Sequence, residues 1–131
     1  KGDRLVMDKW FGMQVMMTTP DRVPEIAANL TAHPLFDMKN PNRFRAVMGA
    51  LSGHHAGFHR ADGAAYALLA DWLIKLDALN PQTTARLTGV FETWRRYTPE
   101  LQVLMKAELE RMAALPDLSK NTREIVERVL G

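Results

Sequence analysis

Apolar side chains recur every three to four positions along the chain, and no stretch sustains the two-residue alternation of a half-buried strand. The clearest stripe is Leu87, Val90, Phe91 and Trp94, spaced i, i+3, i+4 and i+7. After a break, Leu101, Leu104, Met105, Leu109 and Met112 continue the same period, and both stripes read as core-facing. The breaks carry turn chemistry of their own. Thr19-Pro20-Asp21, Asn40-Pro41-Asn42, Asn80-Pro81-Gln82 and Thr98-Pro99-Glu100 each place a capping side chain directly before a proline suited to the first helical position. Gly63, Leu115-Pro116 and Gly131 mark further ends. The pattern predicts an all-α chain of about seven helices, at roughly 3–18, 21–32, 41–53, 62–79, 81–96, 99–114 and 119–130.

Connections this short make successive helices antiparallel neighbours. The Asn-Pro starts at 40 and 80 are separated by the length of one helix pair in HEAT-like or armadillo-like stacks. The expected architecture is therefore an α-superhelix of antiparallel pairs, with a compact orthogonal bundle as the competing arrangement. No linker or low-complexity run interrupts the pattern, so 1–131 reads as a single helical domain. Its 131 residues, 47% hydrophobic and 24% charged, suffice for one sizeable core.

Composition excludes several function classes. There is no cysteine, hence no disulfide, thiolate zinc site or cysteine nucleophile. Seventeen basic and fifteen acidic residues leave a net charge of +2 with the signs interspersed, which gives nucleic acid no concentrated basic face. No apolar run approaches the ~20 residues of a membrane span, since Leu5 to Met17 is interrupted by Asp8, Lys9 and Gln14. Lys1-Gly2-Asp3-Arg4 has neither an initiator Met nor a signal-peptide pattern, so a portion of a longer chain is expected. Pairs at helical spacing (Asp71 with Lys75, Glu92 with Arg95 or Arg96, Glu108 with Arg111, Glu124 with Arg128) read as solvated outer faces.

Candidate chemistry is sparse. In His54-His55-Ala56-Gly57-Phe58-His59, His55 and His59 could share a helix face and offer two imidazoles to a metal. No glutamate lies between them as in H-E-x-x-H, Gly53 and Gly57 disfavour a firm helix, and a third ligand is not evident, so loop or capping histidines are the simpler reading. Ser52 lacks the strand-to-helix elbow of a hydrolase nucleophile, and Glu108 and Glu110 lie on different sides of one helix. Trp94-Arg95-Arg96-Tyr97 sets aromatics beside cations, as single-stranded nucleic acid would use, but reads equally as a helix end. Met7, Met13, Met16 and Met17, with Trp10 and Phe11, belong either to a core or to a face covered by the rest of a larger protein. Two helix starts carry arginines: Asn40-Pro41-Asn42-Arg43-Phe44-Arg45 and Asn80-Pro81-Gln82-Thr83-Thr84-Ala85-Arg86. Each offers unpaired N–H groups and a partial positive charge. If the two starts share one end of a superhelix they make a carboxylate site, and otherwise these are unrelated surface arginines.

Asp8-Lys9-Trp10-Phe11, Met38-Lys39-Asn40-Pro41-Asn42-Arg43-Phe44-Arg45, Phe58-His59-x-x-Asp62-Gly63 with Tyr66, Asn80-Pro81-Gln82 and Arg95-Arg96-Tyr97 occur here in a specific order and spacing. In these the chain resembles, nearly end to end, the C-terminal domain of the bacterial aminopeptidase N (alanyl aminopeptidase) group of the M1 zinc metallopeptidase family. The resemblance implies a cytoplasmic enzyme that removes N-terminal amino acids from peptides by zinc-activated water. This domain would be a helical wall over the active site, packed on the catalytic and other domains of the same polypeptide and shaping the channel for a peptide substrate. The family's zinc ligands, H-E-x-x-H and a distant Glu, and its G-x-M-E-N loop have no counterpart here. Zinc is therefore expected in the parent's catalytic domain, with no metal or catalytic residue in this chain, which alone would be inactive. By position the resemblance implies Arg45, Gln82 and Arg86 as substrate-channel residues, with Arg43 a fourth. His54 and His55 depart from the family pattern, whereas His59 fits it as a structural residue of the turn. The alternative is a free-standing helical-repeat scaffold that binds a protein or peptide.

Overall fold

A computed structural model describes residues 2–131, with side chains from residue 4 onward. The described residues form eight α-helices and no strand: α1 (Gly2–Met16), α2 (Val23–Thr31), α3 (Pro41–Gly53), α4 (His55–Phe58), α5 (Ala64–Asp77), α6 (Pro81–Thr88), α7 (Pro99–Ala113) and α8 (Lys120–Leu130). The expected proline starts hold at α3, α6 and α7, where Asn40, Asn80 and Thr98 accept hydrogen bonds from backbone N–H groups of the first turn. At Pro20 the chain first makes a 3₁₀ turn, Pro20–Arg22, and α2 begins at Val23. No helix among the described residues is long and apolar enough to cross a membrane.

The chain clusters into two compact units, residues 1–60 and 61–131. In the first, α1 packs on α3, and Phe11, Val15, Phe44, Val47, Met48 and Leu51 are fully buried. At Gly12 a Cβ would lie 3.3 Å from the Ala46 carbonyl oxygen, so the two helices meet at a residue without a side chain. Helix α2 packs against both, and the single turn α4 packs on α2 through Gly57. A Cβ there would stand 2.4 Å from Val23 Cγ2. Continuous helix therefore stops at Gly53, where the sequence pattern ends it, and resumes for one unanticipated turn whose glycine admits Val23.

In the second unit α5 buries Ala65, Tyr66, Leu69, Ala70, Leu73 and Leu76, a helical stripe broad enough to meet both α6 and α7. Gly63, at φ 72°, supplies the left-handed turn before α5 and packs on Leu104. Helix α8 completes the unit against α6 and α7.

One predicted helix, 81–96, is interrupted. Helix α6 ends at Thr88 and gives way to the 3₁₀ turns Gly89–Phe91 and Trp94–Arg96. Thr83, Thr84, Thr88 and Gly89 are poor helix formers, and the Thr84 and Thr88 hydroxyls donate to the carbonyls four residues back, at 2.9 and 2.8 Å. The turns still deliver Phe91 and Trp94 to the core, while Leu87 and Val90 remain half-buried.

The surface ion pairs also differ from the helical-spacing expectation. Arg111 binds Glu108 as expected, but Asp71 takes its charge from Arg111 at 2.7 Å and not from Lys75, whose ammonium lies over the Trp72 ring. Glu92 pairs with Arg128, and Arg95 turns to the carbonyls ending α8. A guanidinium long enough to reach the next helix meets partners that sequence spacing does not show.

Candidate functional site

At the head of α3 the Asn40 carboxamide oxygen accepts from the Asn42 and Arg43 N–H groups, at 3.1 and 3.2 Å, which fixes the first turn. Arg43 and Arg45 then diverge, because two residues of helix turn the direction by roughly 200°. Arg43 points inward and is 7% exposed. Its Nε donates to Asp8 Oδ1 at 2.5 Å, its Nη1 donates to the Leu35 carbonyl, and its guanidinium carbon stands 5.0 Å from the Phe11 ring centre. Arg45 is half-buried on the other side, and its Nη2 donates to Asn42 Oδ1 at 2.8 Å, which holds the guanidinium beside the first turn. An open basin of about 460 Å³ lies at this helix start, edged by Arg4, Asp37, Lys39, Asn40 and Arg43.

At the head of α6 the Asn80 side chain accepts from the Thr83 N–H at 3.1 Å. Gln82 and Arg86, four residues apart, share one exposed face, while Thr83, Thr84 and Thr88 form the buried one. The structure thus places Gln82 and Arg86 side by side on one helix and separates Arg43 from Arg45. Sequence reasoning missed Arg43's partner, since Asp8 lies 35 positions away on another helix and no local spacing signals it.

The histidine run has a structural arrangement. His54 Nδ1 accepts from the Gly57 N–H at 3.1 Å and caps α4, so the ring proton resides on Nε2, which donates to the Thr18 carbonyl at 3.0 Å. His55 and His59 stand edge to face with ring centres 4.9 Å apart, and Phe58 flanks His59 at 5.0 Å. Burial, reinforced by the neighbouring His55, pushes the His59 imidazole down to about 4. No group of three or more His, Cys, Asp or Glu side chains that could hold a metal occurs among the described residues.

The chain is 48% identical over 128 residues to the aminopeptidase N of Caulobacter vibrioides, which covers 97% of this chain and 15% of that protein. It is 42% identical over 130 residues to the aminopeptidase N of Haemophilus influenzae and 39% identical over 129 residues to that of Escherichia coli, covering 98% and 97% of this chain. It spans 15% of the length of each of these relatives and matches their C-terminal domain. A crystal structure of Legionella pneumophila aminopeptidase A in complex with aspartic acid superposes with a TM-score of 0.86 at 32% identity, over 95% of this chain and 14% of that one. A family model described as a domain of unknown function (DUF3458_C) with ARM repeats matches residues 1–131, in accord with the expected all-α, armadillo-like class. The chain belongs to this ARM-repeat family, which it matches from end to end.

Proposed function

We propose that this chain is the C-terminal domain of a cytoplasmic, zinc-dependent M1 aminopeptidase, in which it covers the active site and shapes the substrate channel. The observation that carries the reading is the match, along nearly the whole chain, to the C-terminal domain of three proteins named aminopeptidase N at 39–48% identity. Zinc belongs to the catalytic domain of the parent and supplies the activated water there. The residues of this chain contribute binding and shape. Peptide held by its N-terminus at a metal points its carboxylate away from it, and a guanidinium on that side attracts the carboxylate.

Arg86 and Gln82 suit this task because they stand together on an exposed face, and Arg45 because it leaves the core side of α3. Arg43, spent on Asp8 and the Leu35 carbonyl, is assigned to holding α3 in place. In the intact enzyme Arg86→Ala should raise KM for short peptides about threefold, the worth of one exposed charge pair, and leave KM for uncharged aminoacyl amides unchanged. Equal effects on the two substrate classes would overturn the assignment. The domain alone, given zinc and an aminoacyl chromogenic substrate, should show no turnover.

A further inference from the structure

Helix α1 is apolar on two opposite sides, and this chain covers only one of them. At roughly 100° per residue, Phe11 and Val15 share one side, and Val6, Trp10 and Met13, with Met17 in the turn that directly follows the helix, fall within a sector of about 60° on the other. Phe11 and Val15 are fully buried in the first unit. The other four are 66%, 40%, 46% and 76% exposed, and Leu5 and Met16 extend the patch to one flank at 70% and 49%. Met13 and Met17 continue into a groove of about 370 Å³ shared with Gln14, Thr18 and Ile26 of α2. A helix apolar on both sides is a buried helix, and a contiguous patch of large side chains is the mark of an interface, unlike singly scattered ones.

The length of the relatives indicates what covers it. Each is more than six times as long as its match to this chain, and the match lies at its C-terminal end, so the remaining chain enters this domain through α1. We infer that the outer face of α1 and the groove it forms with α2 are the seat of the polypeptide preceding Lys1, which places apolar side chains against Trp10, Met13 and Met17. This rests on the reading of the chain as part of a larger polypeptide and not on any particular reaction. Flexible thioethers suit such a seat, since methionine conforms to an apposed surface without a fixed branch to clash.

The test is photo-crosslinking in the full-length polypeptide, with p-benzoylphenylalanine replacing Met13 or, separately, Met17, both exposed enough to accept it. Links are mapped by peptide mass spectrometry at two protein concentrations tenfold apart. The expected result is intramolecular links from both positions to peptides upstream of Lys1, with a yield unchanged by dilution. Links between copies whose yield falls on dilution would assign the face to self-association and overturn the inference. So would links confined to residues 1–131, or none. Activity is not read, so failure of the aminopeptidase reading would leave this outcome intact.

Discussion

The Arg43 guanidinium meets the Asp8 carboxylate at 2.5 Å, with side chains 8% and 15% exposed, and so ties the first turn of α3 to α1. Removing one partner of a pair this sheltered strands the other's charge. Arg43→Met should lower the unfolding free energy by about 3 kcal/mol, whereas Arg43→Met with Asp8→Leu should recover most of that loss. Urea unfolding of the single and double variants measures the difference. Equal destabilisation by the single and double variants would show that the pair's charges do not matter.

Asp77, at the end of α5, is a second anchor of this kind. Its carboxylate accepts from the Ser119 N–H and hydroxyl, both at 2.6 Å, and from the Thr122 hydroxyl at 2.5 Å, while Ser119 in turn caps α8. Three donors lose their acceptor in Asp77→Ala, at a cost of roughly 3 kcal/mol. The loss should concentrate in α8, whose amides would exchange with solvent faster than those of α5.

Two glycines separate packing from helix propensity. Gly57→Ala puts a methyl 2.4 Å from Val23, so α4 must lift from α2, at a cost of about 2 kcal/mol. Gly53→Ala meets nothing within 4 Å at the end of α3 and should stabilise by roughly 0.5 kcal/mol through the unfolded chain. Thermal unfolding of the two variants should move Tm in opposite directions.

These cases also show which parts of the molecule were legible in the sequence. The helix starts at Asn40, Asn80 and Thr98 could be read because cap, proline and first turn are adjacent in the chain. The break inside 81–96 could not, because Phe91 and Trp94 keep helical spacing while three threonines and Gly89 weaken the helix between them. Trp94 is held by a tertiary bond, its indole N–H donating to the Val129 carbonyl at 2.9 Å. The same limit applies at the candidate site. Gln82 and Arg86 share a face by arithmetic, but Arg43's inward turn depends on Asp8, far away in sequence.

His59 gives the chain a pH dependence with a definite sign. Its pKa falls from 6.5 to about 4 on folding, so the unfolded chain binds the proton more readily between those values. The group's contribution to stability is complete above pH 6.5 and is lost as pH falls from 6.5 toward 4. His59→Gln, which carries no titratable group, should flatten the decline in Tm over that window. An unchanged slope would assign the acid sensitivity to other groups.

On the proposed function, Arg86 and Arg43 should part company under salt in the intact polypeptide. An exposed guanidinium attracts a peptide carboxylate through solvent, and at 0.5 M ionic strength such attraction is screened within about 4 Å. If Arg86 meets the substrate, KM of the unaltered enzyme for short peptides should rise with salt, and Arg86→Ala should remove most of that dependence while leaving Tm in place. Arg43→Met should do the reverse, lowering Tm through the lost Asp8 pair and keeping the salt dependence of KM. Steady-state kinetics across a salt series, with Tm measured on the same samples, distinguishes a residue that holds substrate from one that holds the fold.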